Sequence, residues 1–244
     1  MRAQAFHFAA LVGVLAIASG ANGQVLKNFL HGANASSTEP LTDIAIREAL
    51  TAWCDDPGSA IGVYGNISDW DTSGVTDMAW FFSGYSNNNG RKGYCSTYDK
   101  FNEDISKWNT SSVTTMRSMF NGAASFNRNL SSWDVSRVVD MRQMFEYATS
   151  FDGDISAWNV TRVNSMKQMF EYAHSFDGDI SVWDVSRVTT MEWMFGSAHR
   201  FAQHLCWSIS PATFTNKIFD GTAGACIDKT CGGSVPSHDI GLYC

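Results

Sequence analysis

Phe151-Asp152-Gly153-Asp154-Ile155-Ser156-Ala157-Trp158-Asn159-Val160-Thr161-Arg162-Val163-Asn164-Ser165-Met166-Lys167-Gln168-Met169-Phe170-Glu171-Tyr172-Ala173-His174-Ser175 is one copy of a unit that begins again at Phe176. Phe101, Phe126, Phe151, Phe176 and Phe201 stand 25 residues apart, and Trp108, Trp133, Trp158 and Trp183 keep the same step. The pairs Met116/Phe120, Met141/Phe145, Met166/Phe170 and Met191/Phe195 follow it too. Three apolar columns advancing in register mark a stacked repeat, in which each unit buries its apolar side against its neighbours. The Trp, Met and Phe columns are therefore expected to be core, and a sugar-binding platform is the weaker reading of them.

Within a unit, Ile155, Trp158, Val160 and Val163 read as an extended segment. Met166, Met169, Phe170 and Ala173 fall at i, i+3, i+4 and i+7, the spacing of a helix with one buried stripe. Thr115, Asp140, Ser165 and Thr190 are the residue types that cap such a helix. The expected unit is a short strand, a bend, a short helix and a return loop. Ahead of the repeats, Ile46, Leu50 and Trp53 form a helical stripe, read as a cap over the open apolar end. Trp70 precedes Trp108 by 38 residues, which leaves 13 extra residues in an Asn- and Gly-rich surface insertion. The expected organisation is a signal peptide at 1–23, a linker and cap helix at 24–60, repeats at 61–207 with an insertion at 83–95, and a C-terminal cap and tail at 208–244.

The stretch from Phe151 to Val163, followed by Met166-Lys167-Gln168-Met169-Phe170, resembles the BspA-like leucine-rich-repeat surface proteins, a group that includes a mycoplasma surface-lipoprotein domain of unknown function. The resemblance spans about residues 60–207 and recurs five times. The resemblance implies a leucine-rich-repeat-like solenoid, and with the residue pattern the expected fold is α/β, a right-handed solenoid of this kind with about five 25-residue strand–helix repeats, a helical N-terminal cap and a disulfide-closed C-terminal cap. It also implies extracellular placement and adhesion or recognition, and it implies no catalytic residues or cofactor.

Arg2, the apolar run Phe8 to Ala18 and the small residues Ala21-Asn22-Gly23 read as a secretory signal, too short to span a bilayer. No lipoprotein Cys follows it. The even count of six cysteines in an exported chain then favours disulfides, for which the pairs Cys54 with Cys95, Cys206 with Cys226 and Cys231 with Cys244 are expected. A formal charge of −7 argues against nucleic acid and anionic membranes as partners. Nucleophile elbows, zinc-protease motifs and phosphate loops are missing, so the expected function is a secreted, non-catalytic recognition or adhesion module for an extracellular protein or polysaccharide. A passive component of a matrix or wall is the alternative.

Several columns carry chemistry. Asp152, Asp154, Asp177 and Asp179 come from adjacent units and form an oxygen-rich set suited to Ca²⁺, or else Asx-turns at tight corners. His174 and His199 stack in register with His204 nearby, a transition-metal set or a tolerant surface position. Arg137, Arg162 and Arg187 form a basic ladder, and Arg117, Arg142 and Lys167 a second beside Glu146 and Glu171. Such ladders either bind a polyanion or are neutralised by neighbouring acidic columns. Tyr147 and Tyr172, with Tyr85, Tyr94 and Trp193, are the aromatics expected to touch a ligand. Asn34, Asn66, Asn109, Asn129 and Asn159 sit in N-x-Ser/Thr sequons, candidates for glycosylation in an exported eukaryotic chain.

Overall fold

The computed structural model describes residues 40–84, 93–210 and 212–227. The signal segment, Asn34, Tyr85, Cys231 and Cys244 lie outside the described residues. Helix α1 (Asp43–Asp55) begins where Thr42 accepts the Ala45 N–H through its side chain, and it buries Ile46, Ala49, Leu50, Trp53 and Cys54. Helix α2 (Pro57–Tyr64) starts on Asp56, whose carboxylate caps the Ser59 N–H, and stops at Gly65, whose φ of +74° no helix continues. Short 3₁₀ turns cover Ile67–Asp69 and Tyr98–Lys100, and strands β1 (His204–Leu205) and β2 (Cys226–Ile227) pair in parallel.

Among the described residues, no helix or strand of more than an isolated bridge falls between Phe101 and Arg200. The expected solenoid of five strand–helix repeats is therefore not what these units form. The chain runs instead through successive tight turns, and single parallel bridges join Asp77 to Thr115, Thr115 to Asp140, Asp140 to Ser165, Ser165 to Thr190 and Thr190 to Phe214. The reason lies in two left-handed residues per unit: Gln143 and Tyr147, Gln168 and Tyr172, Trp193 and Ser197 all have φ of 57–58°. A right-handed helix cannot pass through such a residue.

Two consecutive turns reproduce the helical apolar spacing without a helix. The N–H groups of Met169, Glu171 and Ala173 each donate to the carbonyl three residues back. Those of Met166, Gln168, Phe170 and Tyr172 donate to Thr190, Glu192, Met194 and Gly196 in the next unit. Alternate amides thus serve the turn and the neighbouring unit, which satisfies buried backbone in the absence of regular structure. Trp158 and Val163 close further turns onto Ile155 and Val160, so the supposed strand is absent as well. The expected helix caps are bridge residues: Asp140 accepts the Arg142 N–H, whereas the buried Ser165 and Thr190 hydroxyls have no hydrogen-bond partner among the described residues.

The apolar columns are core, with Trp158 3% and Phe151 and Phe170 0% exposed. Trp133, Trp158 and Trp183 lie parallel, with ring centroids 6.4 and 6.3 Å apart. The indole N–H groups of Trp108, Trp133, Trp158, Trp183 and Trp207 donate to Ile67, Ile105, Leu130, Ile155 and Ile180 of the preceding units. Each Trp is both a packing element and a polar tie between units. Part of the segment assigned to a C-terminal cap continues the same bonding, since Met191, Trp193, Phe195 and Ser197 donate to Phe214, Asn216, Ile218 and Asp220.

Helix α1 lies against the first unit. The Asp43 carboxylate accepts the Thr76 and Asp77 amides, Arg47 pairs with Asp77 at 2.8 Å, and Trp53 meets Trp70 edge-on at 6.1 Å. Cys54 is disulfide-bonded to Cys95, tying the helix to the end of the insertion. Cys206 and Cys226 each take part in a disulfide, which does not by itself pair them with one another. Among the described residues, no helix is long and apolar enough to cross a membrane.

Candidate functional site

Two polar corners recur in every unit. Asn66, Asp104, Asn129, Asp154 and Asp179 occupy the first, and Asp71, Asn109, Asp134, Asn159 and Asp184 the second. Each accepts the N–H of the Ser or Thr two residues on, at 2.8–3.2 Å. These are Asx-turns, the local bond that lets a short polar side chain replace a backbone partner. Hydroxyl and amide donation from Ser holds Asp71, Asp104, Asp134 and Asp184 below the usual carboxylate range, and amide then hydroxyl donation does the same for Asp154 and Asp179.

The other two carboxylates of the calcium candidate serve the next unit. Asp152 accepts the Asp177 N–H and Asp177 accepts the Ala202 N–H, both at 3.0 Å. Gly153, between Asp152 and Asp154, is demanded by packing, because a Cβ there would lie 2.2 Å from the Arg128 carbonyl oxygen. Asp152, Asp154, Asp177 and Asp179 are thus each engaged with backbone. Among the described residues, no group of three or more His, Cys, Asp or Glu is placed to hold a metal ion. His174 and His199 do stack, 4.7 Å apart and 13° from parallel, while His204 sits exposed in β1.

The two basic ladders fare differently. In the second, Arg142 pairs with Asp140 at 2.6 Å, Lys167 with Glu192 at 2.9 Å, and Arg117 lies over the Trp80 ring at 5.6 Å. Arg137, Arg162 and Arg187 are all exposed, and none enters an ion pair among the described residues. Asp134 feels the charge of Arg137. Unit-to-unit bridging at about 4.8 Å sets the rise between successive arginines.

Of the aromatic candidates, Tyr147 is 43% exposed and stacks on half-buried Tyr172 with centroids 4.5 Å apart. Trp193 lies under Lys217 at 4.4 Å, and Tyr94 is half-buried against Phe81 and Arg47. Behind the tyrosines are two groups that the sequence places beside a surface ladder and the structure places inside. Glu146 and Glu171 are 4% and 8% exposed. The Asn121 and Gln143 amides donate to Glu146, and Gln168 donates to Glu171. Burial first, then the charge of Glu171, pushes Glu146 up to about 7, and burial raises Glu171. Their place between buried Phe145 or Phe170 and buried Ala148 or Ala173 is the signal that could have located them.

Residues 59–131 and 91–209 match the family described as Mycoplasma protein of unknown function, DUF285. No curated protein and no solved structure matches the chain.

Proposed function

The chain belongs to this family, whose description assigns no activity, and from its surface we propose a secreted, non-catalytic recognition module that takes an anionic polysaccharide on Arg137, Arg162 and Arg187. The observation that carries the proposal is the contrast between the ladders: the second is occupied by Asp140, Glu192 and Trp80, while the first is exposed and without an ion pair among the described residues. Guanidinium groups recognise sulfate and carboxylate through paired N–H donors. Placed one unit apart, they offer a row of such forks to a chain with repeating anionic groups. The remainder of a molecule of net charge −7 repels a polyanion, which confines attraction to this column. The exposed Tyr147 ring, stacked on half-buried Tyr172, adds a surface on which a sugar face can pack. The engagement of the corner carboxylates with backbone supports the non-catalytic reading.

Retention on immobilised heparin, eluted with rising salt, tests the proposal. The parent should be retained and released by salt. The triple variant Arg137→Gln/Arg162→Gln/Arg187→Gln should elute earlier with a melting temperature no lower than the parent's, because no ion pair is lost and the repulsion along the ladder is removed. Co-elution of variant and parent would refute the assignment. A chain that binds no polyanion yet stays tightly held in extracted wall material would favour the passive structural role.

A further inference from the structure

The four sequons within the described residues are distributed in a way that their structural duty does not require. Ten corners make the same Asx-turn, and six of them make it with Asp. Asp is fully competent for that bond, so Asn at the other four adds nothing to the turn. What it adds is an amide nitrogen. The side-chain oxygens of Asn109 and Asn159 accept both the amide and the hydroxyl of Ser111 and Thr161, the hydroxyl contacts at 2.7 Å. Those of Asn66 and Asn129 accept the Ser68 and Ser131 amides. With the oxygen so engaged, Nδ2 is directed away from the turn, and all four Asn residues are exposed.

Their order along the stack is regular. Asn66 is at the first corner of its unit, Asn109 at the second corner of the next, Asn129 at the first and Asn159 at the second. Each of four consecutive units carries one sequon, and the two corners alternate. Asp104 separates Asn66 from Asn129, and Asp134 separates Asn109 from Asn159. Two bulky groups on one column are therefore two units apart, about 10 Å at β-like spacing, and never on adjacent units.

We infer that Asn66, Asn109, Asn129 and Asn159 are N-glycosylation sites, arranged so that neighbouring units carry their glycans on opposite corners. The inference rests on the proposed export of the chain through a secretory pathway that supplies an oligosaccharide on a lipid diphosphate. In the transfer, the bond from Asn Nδ2 to the sugar C1 forms and the bond from C1 to the diphosphate oxygen breaks. The lipid diphosphate leaves with the electron pair, and the amide proton passes to a base of the transferase. The glycans would flank the Trp-bearing segment between the corners, and that on Asn159 would border Arg162 three residues on without replacing any arginine of the ladder.

The test is expression of the full chain in a glycosylating eukaryotic cell, with the secreted protein analysed by peptide mass spectrometry before and after amidase removal of N-glycans. All four asparagines should be occupied and convert to Asp on deglycosylation. The variant Asn66→Asp/Asn109→Asp/Asn129→Asp/Asn159→Asp should lose these glycans while keeping the melting temperature of the enzymatically deglycosylated parent, because Asp preserves each turn. Protein that reaches the medium unmodified at these positions would overturn the glycan assignment alone. Chain retained in the cytosol would overturn the export reading and the glycan assignment with it.

Discussion

Glu146 is the residue whose titration should be visible in the stability of the whole molecule. Its carboxyl is buried one unit from Glu171, with the Asn121 and Gln143 amides as its hydrogen-bond donors. Folding raises it from 4.5 to about 7, so the folded state holds a proton that the unfolded chain releases. Stability from this group is fully present below 4.5, declines as pH rises, and is lost above about 7. At about 1.4 kcal/mol per pH unit the loss is at most about 3.5 kcal/mol, and residual solvent contact reduces it toward about 2. Glu146→Gln keeps an oxygen to accept from Asn121 and Gln143 but cannot ionise. Urea unfolding at pH 4.5, 6 and 8 should find the variant close to the parent at the lowest pH. At pH 8 it should be more stable by about 2–3 kcal/mol. A constant difference between variant and parent across this range would refute the argument, because it would mean that Glu146 titrates alike in both states.

The corner aspartates act in the opposite direction. Lowered from 3.8, they contribute stability above that value and lose it as pH falls through and below it, so the parent should melt highest on the acidic side, near pH 4–5. Trp158→Ala removes a buried ring stacked on two others together with its bond to Leu130, at a cost of about 3–5 kcal/mol. In calorimetry that is a drop of roughly 6–20 °C, and a change within 1 °C would contradict core placement. Removing the Cys54–Cys95 disulfide as a double Ala variant opens a closure of sequence separation 41, worth roughly 4 kcal/mol on chain entropy, and should lower the urea midpoint without changing the far-ultraviolet spectrum. Gly122→Ala forces a side chain into φ +79° with its Cβ 3.1 Å from the Tyr98 ring, and should cost about 1–2 kcal/mol by the same urea assay.

The core was legible in the sequence because burial acts on every unit alike: a column that packs against its own copies must repeat its residue type, as Trp133, Trp158 and Trp183 do. The backbone path was not legible, and the reason is specific. Met166, Met169, Phe170 and Ala173 are all buried, so their spacing marks a one-sided stripe but not the helix expected to carry it. Two turns closed by left-handed Gln168 and Tyr172 place the same four residues inward, and periodicity alone cannot separate the two paths. A clue lay at the ends of the stack, where the Tyr147 and Tyr172 column contains Gly122 at φ +79° and Gly221 at φ +75°. Glycine at two copies of a position marks a backbone demand that the Tyr copies meet at a cost.

The same limit applies to the charged columns, and it decides where function can be sought. Arg142 and Arg137 are indistinguishable by residue type and by their membership of a column that repeats every 25 residues. What separates them is a partner: Asp140 lies two residues before Arg142 and folds back onto it, and Lys167 finds Glu192 only across a unit boundary. A repeating sequence therefore announces its columns but not which of them are already neutralised. Stacking also brings like charges together at every unit, so a column without internal counter-charge carries a standing repulsion that a binding anion would relieve. Under the proposed function, a polyanion along Arg137, Arg162 and Arg187 would relieve the part of that repulsion that neighbours such as Asp134 leave uncompensated.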